Sequence, residues 1–182
     1  LSFNWVSGAA QFTPDSTRVL VVEGSGRGRW FKLPSGELER EWQFDEQIPG
    51  LPPMVVKAMS WGGQRLVCYG TASSQPLTCF ILDGRTGKLS SVLGQGFDPF
   101  IRVCLSGDGR LGVLNQKMNA SAEQWMIVFD AIRGAELSRI SVGAGVSPVI
   151  ALSANGRKTA ALIPMPGKDL VIYDLVISKK SG

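Results

Sequence analysis

Apolar and polar residues alternate in short runs along the chain, and one arrangement of these runs occurs four times. In "CLSGDGRLGVL" (104–114) an apolar run leads into a tight polar turn, an arginine and a second apolar run. The segments "QFTPDSTRVLVV", "AMSWGGQRLVCY" and "ALSANGRKTAAL", which begin at residues 11, 58 and 151, repeat this arrangement. Short apolar runs bounded by Gly, Pro, Asp and Ser are typical of β-strands, so each segment is predicted to be a β-hairpin.

The hairpins recur at a nearly constant period. A hydroxyl residue precedes each turn at intervals of 47, 46 and 47 residues: Thr13, Ser60, Ser106 and Ser153. An arginine follows each turn at intervals of 47, 45 and 47 residues: Arg18, Arg65, Arg110 and Arg157. Such regular spacing indicates that one supersecondary unit is repeated along the chain.

A second pattern occupies the other half of each unit. The segments "WFKLPSGELEREW" (30–42), "FILDGRTGKLSSV" (80–92) and "IVFDAIRGAELSRI" (127–140) share an apolar run, a turn with glycine and a leucine, and "LVIYDLVI" (170–177) matches their first part. Each unit therefore predicts four antiparallel strands, here named A to D. Strands A and B flank the polar turn, and strands C and D flank the glycine turn. Strict phasing predicts fifteen strands, with no D strand in the fourth unit.

Four-stranded units of 40–50 residues are typical of β-propellers, in which small sheets pack around a channel. "CLSGDGRLGVL" and "ALSANGRKTAAL" resemble the strand A to strand B segment of WD40-like repeats, and "VFDAIRGAEL" and "ILDGRTGKL" resemble the strand C to strand D segment. The resemblance is degenerate, because Leu82, Phe129 and Tyr173 stand in place of the tryptophan of the WD pair. Propellers of the PQQ and YVTN types have similar turns and remain alternatives.

The expected fold is all-β: a β-propeller of about four four-stranded antiparallel blades, either a complete ring or half of a larger one. A single domain is expected over residues 1–182. The boundaries of its repeat units are predicted at 7–53, 54–99, 100–146 and 147–182. The edge of residues 170–177 is expected to accept a strand from elsewhere or to support self-association, because an open strand edge invites pairing.

The composition argues against several kinds of chemistry. The chain contains no histidine, which is the commonest general base and the commonest metal ligand. No catalytic, metal or cofactor site is therefore predicted, and the chain is expected not to be an enzyme. The net charge of +4 comes from scattered residues, whereas a nucleic-acid partner requires a basic cluster on one face. No apolar run approaches the roughly 20 residues of a membrane-spanning helix, so no membrane partner is expected.

The three cysteines, Cys68, Cys79 and Cys104, lie in apolar runs without the CxxC spacing of metal and redox sites. Buried thiols are expected, although Cys68 and Cys79 flank one predicted hairpin and a disulfide between them is the alternative. Unpaired cysteines are typical of reducing compartments, so a cytoplasmic location is expected. Among the tryptophans, Trp30, Trp61 and Trp125 are predicted to pack between blades.

Five residues are candidates for binding a partner. "EGSGRGRWF" (23–31) is predicted to be a hairpin turn, because its glycines lie between two strands and not before a helix as in phosphate-binding loops. Arg27 and Arg29 at its tip are expected to contact an acidic partner. Ile48, Leu51 and Phe97 lie in connections between units and are expected either to anchor a partner or to be buried at the mouth of the channel.

The leading functional hypothesis is a non-catalytic scaffold that presents a loop face of a WD40-like propeller to a protein or peptide. One alternative is a ligand-binding or enzymatic propeller with its site at the mouth of the channel. Another is a structural subunit or fragment of a larger multidomain assembly. The fold alone does not separate these hypotheses.

Overall fold

A computed structural model describes residues 8–44, 54–70, 77–97, 102–117, 123–144, 149–165 and 168–175. Within these ranges the regular structure consists of fifteen β-strands and one short 3-10 turn, Trp61–Gly63. The all-β class predicted from the apolar runs is therefore confirmed. The same ranges contain no helix that is long and apolar enough to cross a membrane.

The strands form four antiparallel sheets in chain order, and within each sheet every strand pairs with its neighbours in sequence. Sheet 1 contains β1 (Ala9–Phe12), β2 (Arg18–Val22), β3 (Arg27–Lys32) and β4 (Leu38–Gln43). Sheet 2 contains β5 (Met54–Met59), β6 (Arg65–Gly70), β7 (Leu77–Asp83) and β8 (Leu89–Phe97). Sheet 3 contains β9 (Val103–Leu105), β10 (Leu111–Lys117), β11 (Glu123–Asp130) and β12 (Ala135–Ala144). The described part of sheet 4 contains β13 (Val149–Leu152), β14 (Lys158–Met165) and β15 (Lys168–Asp174).

The repeated hydroxyl residue holds the turn between strands A and B. In each sheet its side-chain oxygen accepts a hydrogen bond from the backbone N–H five residues later. The four donors, at 2.9–3.1 Å, are the amides of Arg18, Arg65, Leu111 and Lys158. These four positions are therefore structurally equivalent. Arg110 and Arg157 lie one residue earlier, within the turn, so the arginines of the sequence pattern are equivalent only in pairs.

The turns between strands C and D share a second device. Gly36, Gly87 and Gly134 have φ values of 71°, 70° and 69°, in the left-handed region that favours glycine. In sheets 2 and 3 a carboxylate also ends strand C and accepts hydrogen bonds from the turn. Asp83 Oδ1 accepts from the N–H of Arg85 at 2.9 Å, and Asp130 Oδ1 accepts from the N–H of Ile132 at 2.8 Å. These turns therefore connect strands C and D in the same way in sheets 1 to 3.

Hydrophobic side chains pack the sheets face to face in chain order. Leu20 and Trp30 of sheet 1 pack with Leu66 of sheet 2. Two further groups continue the core: Val67 and Ile81 with Leu114 and Phe129 between sheets 2 and 3, and Val113 and Val128 with Ile150 between sheets 3 and 4. In the described part of the chain, no comparable cluster joins sheet 4 to sheet 1. The core thus consists of three successive interfaces between sheets.

Two tryptophans fix the first of these interfaces. The indole nitrogens of Trp30 and Trp42 both donate to the carbonyl oxygen of Gly84, at 2.9 and 3.0 Å. Within sheet 2, a Cβ at Gly84 would lie 1.7 Å from the carbonyl oxygen of Gly63, so the A–B and C–D turns of this sheet approach too closely for a side chain there. The prediction that Trp61 packs between sheets is wrong, because its side chain is 56% exposed.

The cysteines do not form a disulfide. Cys68 pairs in register with Phe80 and Cys79 with Tyr69, so the two side chains point to opposite faces of sheet 2. All three cysteines are free thiols. Burial raises the pKa of Cys68 and raises that of Cys79 to about 12, so both remain protonated at neutral pH. They act as small core side chains, as the apolar runs predict.

Candidate functional site

A groove lies between sheets 1 and 2, at the end of the sheets that carries the A–B and C–D turns. Its volume is about 500 Å³. Sheet 1 contributes the turn around Asp15, the indole of Trp30 and the start of β4, and sheet 2 contributes Gly62 and Arg85. The packing that holds the two sheets together therefore also forms the groove, which we call the inter-sheet groove.

Three arginines line the inter-sheet groove, and their partners differ. The Nε atom of Arg18 lies 2.9 Å from Oε2 of Glu39, which forms an ion pair. Arg40 donates from Nη1 to the carbonyl oxygen of Arg85 at 3.5 Å, which is a weak hydrogen bond. Among the described residues, no carboxylate lies within ion-pair distance of the guanidinium groups of Arg40 and Arg85. Within the part of the chain that the structure describes, these two groups therefore have no acidic partner.

The groove also contains carboxylates, but their positions are fixed by their own sheet. Hydrogen bonds from Thr13 and Thr17 lower the pKa of Asp15 to about 2. Asp15 is therefore charged at neutral pH, and its Oδ1 atom accepts from the hydroxyl groups of both threonines and from the amide of Thr17. Glu39 is held by Arg18. The groove thus combines two fixed negative groups with two arginines that lack carboxylate partners in the described structure.

Arg27 and Arg29 lie at the opposite end of sheet 1. The turn between β2 and β3 covers residues 23–26, so both arginines belong to β3 and not to the tip of the turn. Arg29 forms an ion pair with Glu23, and the Nε atom of Arg27 lies 3.9 Å from Oε1 of Glu41. Both guanidinium groups are thus already paired within their own sheet. Their contact with a partner stays a prediction.

The other three candidates are not brought together in the described structure. Phe97 is the last residue of β8 and pairs in register with Leu77. Ile48 and Leu51 lie outside the described residues. Across the described ranges, no group of three or more His, Cys, Asp or Glu side chains could hold a metal ion.

The sequence analysis did not identify the inter-sheet groove. Arg40 and Arg85 are 45 residues apart and belong to different repeats, so no local motif joins them. Arg40 follows the C–D turn of sheet 1, and Arg85 lies within the C–D turn of sheet 2. An alignment of the repeats therefore places both near the same end of their sheets. Their contact depends on how sheet 1 packs against sheet 2, which the tryptophans and Gly84 determine.

Comparison with known proteins identifies the fold but no family. No family model matches the chain, and no curated protein matches it. Among solved structures, the chain is similar to hydrazine synthase from Kuenenia stuttgartiensis, with a TM-score of 0.57 and 14% sequence identity. The match covers 94% of this chain and 47% of the matched chain, so this chain spans about half the length of that one.

The matched protein contains a β-propeller, and the four antiparallel sheets described above are consistent with propeller blades. At this level of identity the likeness shows the fold alone. In total, 731 solved chains match, so the fold is widespread and does not by itself select a function. The functional argument therefore rests on the residues of the site.

Proposed function

We propose that this chain is a WD40-like β-propeller module that acts as a non-catalytic scaffold and binds an acidic segment of a protein or peptide in the inter-sheet groove. The observation that supports this proposal is the pair Arg40 and Arg85. In the described structure both guanidinium groups line the groove without a carboxylate partner. The absence of histidine from the whole sequence favours binding over acid–base catalysis.

Arginine suits this role because of its geometry. Its planar guanidinium group donates two parallel hydrogen bonds to one carboxylate and stays charged at all physiological pH values. Arg40 belongs to β4 and Arg85 to a turn held by Asp83, so both groups start from ordered backbone. A preorganised site loses less conformational entropy on binding, which improves affinity.

The fixed carboxylates supply selectivity. Asp15 and Glu39 repel an anion that is too large or is wrongly placed, and they leave the positions beside Arg40 and Arg85 as the favourable ones. Trp30 lines the groove although it is only 7% exposed, and it adds a small apolar surface beside the charges. The site is therefore suited to a carboxylate next to an apolar residue, and less to a polyanion such as nucleic acid.

The test uses fluorescent peptides in which Glu or Asp stands next to Leu or Phe, each compared with its Gln or Asn counterpart. Fluorescence polarisation with the complete 182-residue chain measures the affinity of each pair. We expect the acidic member to bind at least tenfold more tightly. Arg40→Gln and Arg85→Gln should each remove at least tenfold of this preference, which corresponds to about 1.4 kcal/mol.

Arg133→Gln is the matched control. Arg133 also lies in a C–D turn, that of sheet 3, and its side chain is 82% exposed and remote from the groove. The Arg133→Gln variant should bind the acidic and amide peptides as the unaltered chain does. Equal binding of acidic and amide peptides, or an equal loss in the control, would contradict the proposal. A loss caused instead by Arg27→Glu or Phe97→Ala would move the binding surface to the loop face at the other end of the sheets.

A further inference from the structure

The position before the hydroxyl residue of each A–B turn has the same role in three of the four sheets. Met59, Leu105 and Leu152 are partly buried there, and each packs against the hydrophobic cluster that its sheet shares with the preceding sheet. The equivalent residue of sheet 1 is Phe12, and its side chain is 57% exposed. Sheet 1 therefore carries the residue for such an interface on a face that no other described sheet covers.

Sheet 4 shows the complementary situation on its other face. In sheets 1 to 3, one position of strand C is buried against the following sheet: Trp30, Ile81 and Val128, with exposures of 7%, 0% and 1%. The register of β14 and β15 makes Ile172 the equivalent residue in sheet 4, and it is 60% exposed. Both uncovered faces thus belong to an interface that the chain already forms three times.

The two uncovered faces also differ in the size of their side chains, which suits them to pack against each other. Around Phe12, the register places Val19 and Phe31 in one row of sheet 1, and the Arg29 guanidinium lies 6.0 Å from the centre of the Phe31 ring. The corresponding row of sheet 4 contains Ile172 and the small residue Ala151. Large side chains on one face and small ones on the other allow the sheets to interdigitate.

The two faces do not cover each other within one chain. Phe12 and Ile172 would be buried together if sheet 4 packed on sheet 1, as their equivalents are in the three interfaces. Both are instead more than half exposed. The described residues of these two sheets also share no hydrophobic cluster.

We propose that the uncovered face of sheet 1 packs against the uncovered face of sheet 4 from a second copy of this chain, and that two copies close into a two-fold ring of eight sheets. A second copy fits because it carries the other half of the interface. Two-fold symmetry forms the interface twice and leaves neither face exposed. Eight sheets lie at the upper end of the range found in propellers.

The mass of the complete chain in solution tests this proposal. Sedimentation equilibrium between about 1 and 100 µM should give a species of twice the monomer mass of 19.5 kDa. Phe12→Glu and Ile172→Glu should each raise the dissociation constant at least 100-fold, because each buries an unpaired charge in the interface. Leu89→Glu and Leu137→Glu are matched controls, since both leucines are 42% exposed on strand D, away from the two faces, and should leave the dimer intact.

Mixing the two variants separates loss of the interface from loss of folding. A mixture of Phe12→Glu and Ile172→Glu contains one pair of unaltered faces, so it should associate more strongly than either variant alone. A chain that remains monomeric at all concentrations would overturn the proposal. A dimer insensitive to both variants, an open polymer, an equal effect of the controls, or a mixture no stronger than its components would also overturn it.

Discussion

Each A–B turn depends on one hydroxyl group. In sheet 3, the Ser106 hydroxyl donates to Asp108 at 2.7 Å and accepts from the N–H of Leu111 at 3.0 Å. Ser106 is fully buried, so its removal leaves the Leu111 amide without this partner in a place that water does not reach easily. The hydroxyl residues are therefore repeated because the turn needs them, and not because they take part in a reaction.

We expect Ser106→Ala to lower the free energy of unfolding by about 1–3 kcal/mol, the usual cost of an unsatisfied buried group. Urea unfolding followed by circular dichroism measures this. Ser138→Ala serves as the control, since Ser138 is an exposed residue of β12 and its removal should change stability by less than about 0.5 kcal/mol. Equal effects of the two substitutions would show that the hydroxyl of Ser106 does not hold the turn.

Asp15 allows a prediction about pH. Hydrogen bonds from Thr13 and Thr17 lower its pKa from the ordinary 3.8 to about 2 in the folded chain. A lowered carboxylate pKa stabilises the folded state above the unfolded pKa, and this contribution is lost as the pH falls from about 4 to about 2. A carboxyl carbon titration by NMR should give the lowered value. Thr13→Val should raise the pKa towards 3.8, whereas Thr13→Ser, which keeps the hydroxyl, should not.

At the scale of the elements, the sequence predicted the strands and their turns because their causes are local. Apolar runs, turn glycines and the hydroxyl residue all act within a few positions, so all four hairpins could be recognised. The relative burial of the tryptophans could not be predicted this way. Trp42 is 7% exposed and Trp61 is 56% exposed, because only Trp42 faces the turn of the neighbouring sheet.

The inter-sheet groove was missed for the same reason. Arg40 belongs to β4 of sheet 1 and Arg85 to a turn of sheet 2, and nothing in the sequence joins them until the two sheets pack together. The disulfide alternative also depended on a local argument, since Cys68 and Cys79 flank one hairpin. Their register places them on opposite faces, a difference of one residue that the apolar runs do not specify. Interactions between repeats therefore required the structure.

Gly84 provides a prediction for the packing of the A–B turn of sheet 2 against the C–D turn of the same sheet, whose Gly84 carbonyl oxygen accepts from both tryptophans of sheet 1. A methyl group there would overlap the carbonyl oxygen of Gly63, and backbone cannot move aside as a side chain can. We expect Gly84→Ala to lower the free energy of unfolding by about 3 kcal/mol, at the upper end of the range for overpacked sites. Thermal unfolding and the fluorescence of the tryptophans measure the change.

Gly36→Ala is the matched control. Gly36 also lies in a C–D turn, but a Cβ there meets nothing within 4 Å, and only its positive φ opposes the substitution. Its expected cost is about 1 kcal/mol. If Gly84→Ala were no more destabilising than Gly36→Ala, the close approach of the A–B and C–D turns of sheet 2 at this point would be disproved.

At the scale of the whole molecule, the sheets form a linear series, in which the hydrophobic clusters of the described residues join each sheet to its neighbours in sequence. Stability in such arrays is approximately a sum over units and nearest-neighbour interfaces. Sheets 2 and 3 are covered on both faces, whereas sheets 1 and 4 of a single chain are each covered on one. The middle of the array should therefore open least often.

Hydrogen exchange at a concentration low enough to keep the chain monomeric tests this expectation. The amides of β6, β7, β10 and β11 should exchange at least tenfold more slowly than those of β2 and β14, because opening the middle sheets breaks two interfaces. Mass spectrometry of peptic fragments resolves these strands. Uniform protection along the chain would show that the four sheets unfold as one cooperative unit.

The single carbonyl oxygen shared by Trp30 and Trp42 gives the molecule a built-in optical reporter. Both indoles are buried and hydrogen-bonded at the same point of the neighbouring sheet, so separating sheets 1 and 2 changes the surroundings of both at once. A red shift of the indole emission that precedes the loss of β-sheet ellipticity would mark the parting of these two sheets before their strands unpair. The order in which the array comes apart can thus be read from the unlabelled chain.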